Sequence, residues 1–125
     1  MSNSNLTHQI LSAAYKVHST LGPGLLESIY QECLFFELKQ RGFKVEKEKP
    51  IPVIYENIKM NVGYRMDLLV NEKVVVEIKS VKALIDIHTA QLITYLRVSN
   101  CKVGLLLNFN VPSLKKGIKR VVNNY

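Results

Sequence analysis

Apolar residues recur at three- and four-residue steps through the first third of the chain. In the middle third they alternate or form β-branched runs, and this change of period marks out the elements. Leu6, Ile10, Ala13, Ala14, Val17 and Leu21 predict an amphipathic helix over residues 5–21, capped by Asn3, Ser4 or Asn5. Gly22-Pro23-Gly24 breaks it. A second helix follows over residues 25–41, stopped by Gly42, with Leu26, Ile29, Tyr30, Cys33, Leu34 and Leu38 as its buried stripe. Strands are predicted over residues 43–48 and 53–55, with Pro50 and Pro52 marking edges or bends. Glu56-Asn57 is a turn, and residues 58–62 lead into a hairpin spanning Gly63 to Ser80. Ile85, His88, Leu92, Tyr95 and Leu96 predict a third helix over residues 83–99, followed by a buried strand over 101–107. Asn108-Phe109-Asn110 and Val111-Pro112 end that strand, and residues 118–122 form a final strand or a turn of helix. This order gives one α/β domain over residues 1–125, a central mixed β-sheet flanked by α-helices. The third helix makes the crossover, right-handed, between parallel strands.

The hairpin is where the polar pattern departs from what a core requires. Asp67, Glu77 and Lys79 sit inside otherwise apolar strands, and buried charges are costly unless paired or bound to a metal. By period 2, Val75, Glu77 and Lys79 share one face, while Val74, Val76 and Ile78 point into a core on the other. Asp67 joins Glu77 on that face only if the two lie opposite each other. That register pairs Val70 with Val74 and leaves Asn71, Glu72 and Lys73 as the loop, with Asn71 or its neighbour left-handed. A two-residue loop would instead set Asp67 against Val76 and separate the carboxylates, unless a bulge restored the register. Two carboxylates on one face make a hard-oxygen site suited to Mg²⁺ or Mn²⁺, and a neighbouring lysine can balance charge or hold a phosphate or water. The alternative is an exposed hairpin face carrying a salt bridge.

Charge sharpens this picture. Seventeen Lys and Arg against ten Asp and Glu give a net charge of +7, which favours a polyanionic partner such as nucleic acid. Lys115, Lys116, Lys119 and Arg120 make the tail the most basic segment and the best electrostatic contact for phosphates. The alternation in Lys44–Lys49 reads first as a solvated strand face and second as a phosphate track. Cys33 and Cys101 have no metal-ligand spacing and read as core thiols, which suits a reducing cytoplasm. The N-terminal residues lack the pattern of a secretory signal, and no apolar run approaches membrane-spanning length.

On the helices, Glu27 and Tyr30 share a face, as do His88, Gln91 and Tyr95. Glu27 by itself is an ordinary first-turn acid, favoured by the helix dipole. His8 and His18 read as surface or boundary residues.

Asp67 followed by Glu77-Ile78-Lys79 resembles the active-site signature of the PD-(D/E)XK nuclease superfamily. Gly24-Leu25-Leu26-Glu27-Ser28-Ile29-Tyr30 is similar to the GxxExxY motif of one small branch, and Gln91 to Tyr95 to the QxxxY motif of its exonuclease-like members. The resemblance runs from the first helix to Lys119. Met66 stands where the superfamily name has proline, a position that varies. The resemblance implies a restriction-endonuclease-like core and Mg²⁺- or Mn²⁺-dependent hydrolysis of DNA, structure- or end-directed rather than sequence-specific. Asp67, Glu77 and Glu27 would be metal ligands with the main-chain carbonyl of Ile78, and Lys79 would activate or orient water. Gln91 and Tyr95 would position the DNA strand or the metal-bound water, and Tyr30 would join the basic tail as a nucleic-acid contact. RNA is an alternative substrate. A homodimer would suit two-strand cutting. The alternative function is a non-catalytic or partner-dependent subunit of a repair or defence complex, working with a helicase-like protein.

Overall fold

A computed structural model of the chain describes residues 2–123. Helix α1 covers Asn3–Leu21 and α2 covers Glu27–Gln40. Strands β1 (Val45–Tyr55), β2 (Ile58–Val70) and β3 (Val74–Lys79) follow, then α3 (Asp86–Ser99), β4 (Val103–Asn108), a short 3₁₀ turn at Leu114–Gly117 and β5 (Ile118–Val122). The strands form one sheet in the order β1-β2-β3-β4-β5. β3 and β4 run parallel across the α3 crossover, and the other neighbours are antiparallel.

Each face of the sheet carries its own core. Leu6, Ile10, Tyr30, Leu34 and Leu38 of α1 and α2 pack on Leu68, Val70, Val74, Val76 and Ile78. On the other face, Leu92, Tyr95 and Leu96 of α3 pack on Met66, Leu69, Val75 and Leu106. The strand alternation thus serves both sides: Val74, Val76 and Ile78 belong to one core and Val75 to the other.

Several boundaries differ from expectation. The cap of α1 is Ser2, whose side chain accepts from the Asn5 N–H at 3.1 Å. The two strands expected on either side of the prolines are one strand, β1. It is an edge of the sheet, and an edge strand tolerates prolines that cannot donate to a ladder. α3 begins at Asp86, because His88 Nδ1 accepts the Ile85 N–H at 3.1 Å and closes the helix start there. This gives His88 a capping role.

The hairpin register is the one the carboxylates required. Val70 pairs with Val74, Leu69 with Val75 and Leu68 with Val76. Both Asn71 (φ 52°) and Glu72 (φ 56°) are left-handed, and the Lys73 N–H closes the turn on the Val70 carbonyl at 3.0 Å.

The β1–β2 ribbon changes face partway along. Leu68 and Val70 face α1 and α2, yet Met66, two residues earlier, lies in the α3 core. On β1 the same switch falls between Val45 and Ile51. Between the ladder pairs Lys47–Leu68 and Lys49–Met66 sits Glu48, in the left-handed region (φ 51°) and in register with Asp67. The switch therefore occurs at Asp67. Beyond it the ribbon projects as an arm, with Ile54, Tyr55, Ile58, Val62 and Tyr64 exposed.

Candidate active site

The β2–β3 ladder stops at Leu68–Val76, while β3 continues beside β4 through Glu77–Leu106 and Lys79–Asn108. The two acids occupy the resulting fork. The Asp67 N–H donates to Glu77 Oε2 at 2.9 Å, and the Ile78 N–H donates to Asp67 Oδ2 at 2.7 Å. Each side chain thus replaces a missing ladder bond with one to its own carboxyl oxygen. This reciprocal pairing fixes both carboxylates side by side on adjoining strands. It excludes the exposed salt-bridge hairpin, because Glu77 is only 4% exposed.

Two close acids with little solvent resist ionisation. Burial, and then the charge of Asp67, push the Glu77 carboxyl up to about 8 from its ordinary 4.5, against the pull of the Asp67 amide and Lys79. Asp67 is also raised, chiefly by burial. The Ile78 N–H and Lys79 oppose the shift, while Glu27 and Glu48 add to it. An acid pair held up in this way favours whatever cation or proton enters it.

Glu27, Lys79 and Tyr95 converge on the fork from three elements. Glu27 opens α2, and its Oε2 accepts the Ser80 N–H at 3.2 Å. Ser80 Oγ donates to the Leu25 carbonyl at 2.6 Å, which ties the end of β3 to the loop before α2. That loop is pinned by Tyr30, whose hydroxyl donates to the Gly22 carbonyl at 2.6 Å and accepts the Leu25 N–H at 3.1 Å. Gly24 (φ 92°) supplies the backbone conformation the loop needs. Tyr30 is 0% exposed and stacks on Phe109 with centroids 4.5 Å apart. The expected nucleic-acid contact at Tyr30 is therefore corrected: this side chain positions Glu27 from inside the core.

Tyr95, buried on α3, has its hydroxyl pushed up to about 12 by burial, with Glu77, Asp67 and Tyr64 adding. It is a hydrogen-bond donor at any working pH. Gln91, one turn earlier, lines a hollow beside it. Lys79 follows Glu77 by two residues on β3, and its charge lowers both acids.

Sequence reasoning missed the far support of this site. Asn108, 2% exposed, accepts the Val81 N–H at 3.1 Å and donates to the Val81 carbonyl at 3.0 Å. The Phe109 N–H adds a bond to the Lys79 carbonyl at 2.9 Å, and Asn110 Nδ2 donates to the Val81 carbonyl at 3.2 Å. These contacts clamp the segment that carries Lys79. The asparagines flanking Phe109 were the available signal, but they read as a strand end. Glu48 was also missed, since only sheet register places it against Asp67.

The basic residues divide. Lys115 and Lys116, exposed in the 3₁₀ turn, follow the C-terminal end of β4, the end at which β3 delivers Lys79. Lys119 and Arg120 are exposed along edge strand β5, in register with Leu106 and Leu105. In the Lys44–Lys49 segment, Lys47 pairs with Glu32 at 2.6 Å and lies 4.8 Å from the Phe35 ring centroid, and Lys49 pairs with Glu46 at 3.1 Å. These pairs fit the solvated face better than a phosphate track. Cys33 and Cys101 are free thiols, and His18 Nε2 donates to the Val111 carbonyl at 2.8 Å. No helix among the described residues is long and apolar enough to cross a membrane.

A divalent ion fits the donor set in kind: two adjoining carboxylates raised chiefly by burial, with a third acid at the rim. Among the described residues, no three such side chains stand close enough to enclose an ion, since Glu27 is turned to the Ser80 amide.

No curated protein and no solved structure matches the chain significantly. The family model for the PD-(D/E)XK nuclease superfamily matches residues 4–121, from the start of α1 to the end of the sheet. That span includes the forked strands with Asp67, Glu77 and Lys79, and the five-stranded mixed sheet with three helices is the restriction-endonuclease-like arrangement. The chain belongs to the PD-(D/E)XK nuclease superfamily.

Proposed function

We propose that this protein is a metal-dependent nuclease that hydrolyses phosphodiester bonds of DNA, directed by structure or ends, and that it belongs to the GxxExxY branch. The observation that carries the reading is the reciprocal bonding of Asp67 and Glu77 across the β2–β3 fork, with Lys79 beside them.

Asp67, Glu77, the Ile78 carbonyl and, after a turn away from Ser80, Glu27 would hold Mg²⁺ or Mn²⁺. When bound, such an ion stabilises charge on the phosphate and lowers the pKa of a bound water. The remaining work belongs to the chain. Lys79 offsets the acids and orients the attacking water or a phosphate oxygen. Tyr95, which keeps its proton, donates a hydrogen bond toward the same space. Gln91 adds an amide one turn away. Asn108 keeps Lys79 in place through the Val81 clamp. Lys115 and Lys116 supply attraction for the polyanion at this end of the sheet, with Lys119 and Arg120 adding to the field from β5.

The position of Glu27 favours a second reading. Its carboxylate is occupied by the Ser80 amide, so a subunit that completes its site only with a partner, such as a helicase-like protein or a second copy, would leave the acids as they are.

The test is cleavage of labelled single-stranded, duplex, flapped and four-way DNA with Mg²⁺ or Mn²⁺, wild type beside Glu77→Ala. Cutting that needs the metal and disappears in the variant supports the nuclease. DNA binding by both proteins with no cutting by either moves the assignment to the partner-dependent subunit.

A further inference from the structure

Tyr64 stands between two hollows beside the fork. On one side it joins Gln91, Thr94, Tyr95, Ala90 and Ile87 of α3 around a half-open, mostly apolar hollow of about 270 Å³. On the other it borders a larger, more polar groove along the β1–β2 arm, which includes Lys59, Asn61 and Arg65. Tyr64 is 44% exposed, and its ring leans on Tyr95, with centroids 5.6 Å apart and a 57° tilt. Tyr95 is the link to the acids, since it packs in one core with Met66 and Val75, which neighbour Asp67 and Glu77 on their strands. Along β2, Tyr64 precedes Asp67 by three residues, roughly 10 Å of strand.

We propose that this hollow is a stacking pocket for one unpaired base of the DNA strand being cut, next to the scissile phosphate. The inference rests on the nuclease reading and names its substrate: single-stranded or frayed DNA. An aromatic face beside an apolar wall is the usual platform for a base in a single strand, and it tolerates any sequence. Gln91 offers a donor and an acceptor to an exposed base edge, which a paired base would not present. The hollow is near the small end of ligand pockets, about 300 Å³, and suits one planar ring system. Lys59 and Arg65 place positive charge where the sugar–phosphate chain would leave it. The two hollows thus divide the labour, the apolar one taking the base and the basic one the backbone.

The test is binding of a fluorescent single-stranded oligonucleotide and a blunt duplex of the same sequence in EDTA, by wild type, Tyr64→Ala and Tyr64→Phe. A third set of probes carries a single abasic residue, moved along the strand one position at a time. Wild type favours the single strand. Tyr64→Ala lowers the single-strand to duplex affinity ratio about tenfold, while Tyr64→Phe keeps it within about twofold. At least one abasic probe loses affinity for wild type, and none does for Tyr64→Ala. Circular dichroism melts confirm that both variants are folded. A wild type that favours duplex or binds neither probe, or a ratio unmoved by Tyr64→Ala, overturns the pocket. Because binding in EDTA is independent of hydrolysis, the two readings fail separately. A protein that shows the Tyr64 effect and cuts nothing keeps the pocket and loses the nuclease. One that cuts with no Tyr64 effect does the reverse.

Discussion

Glu77 turns the site into a pH-dependent weakness of the metal-free protein. Its carboxyl rises from 4.5 to about 8 on folding, because it is buried beside Asp67. The folded chain therefore keeps a proton that the unfolded chain releases between those two values. Stability from this group is fully present below pH 4.5 and lost as pH rises through 8. A shift of that size corresponds to about 5 kcal/mol in all, of which about 3 kcal/mol falls between pH 5.5 and 8.5. Asp67 is shifted in the same direction and adds to the loss. Against a total stability of roughly 5–15 kcal/mol, this is a large fraction.

The assay is urea unfolding in EDTA at pH 5.5 and 8.5, followed by circular dichroism because the chain has no tryptophan. Wild type should lose about 3 kcal/mol across that interval. Glu77→Gln, which can still accept the Asp67 N–H, should lose much of this dependence and exceed wild type at pH 8.5. Millimolar Mg²⁺ should restore wild type at pH 8.5 and do little for the variant. A flat wild-type profile, or a Gln variant weaker at both pH values, would show that Glu77 is an ordinary structural acceptor and would refute the reasoning.

Three further outcomes follow from the geometry. Lys79→Met should reduce metal-dependent cleavage by roughly a hundredfold or more, as loss of a preorganised charge does, with the fold retained in circular dichroism. Glu48→Gly relieves a left-handed residue and one acid facing Asp67, so it should stabilise the metal-free protein by about 1 kcal/mol in urea unfolding. Asn108→Ala takes the acceptor from the Val81 and Asn110 N–H groups and leaves the Val81 carbonyl to Asn110 Nδ2 alone; it should cost about 2 kcal/mol and lower kcat more than it raises KM, because Lys79 is released.

Much of the fold was legible because period and register leave few choices. Only one loop length set Asp67 beside Glu77, and that loop is the one found. Tyr30 shows where legibility stopped. Its place on the stripe with Leu34 and Leu38 was sufficient to bury it, and that position on the helix outweighed its place in a motif. Pro50 and Pro52 fit an edge or a bend, and β1 is an edge; that a single strand runs through both follows only from its pairing with β2. Glu48 and Tyr64 were hidden for a different reason. Their neighbours along the chain are unremarkable, and their significance comes from Asp67 across a ladder and Tyr95 across a helix packing.

The features that cost this fold most lie in one corner. Two acids share a fork with little solvent, a glutamate is left-handed in mid-strand beside them, and a third acid opens α2 against the end of β3. None of these improves the packing of either core, and apolar residues at the fork would fold more readily. The supports point the same way. Tyr30, Ser80 and Asn108 spend buried hydrogen bonds on holding Glu27 and Lys79 around the acids, though loops of ordinary polarity would close those ends. Local rules broken together at one place, and reinforced from behind, mark a site whose stabilisation comes from what it binds. Here the bound species must be cationic to satisfy Asp67 and Glu77.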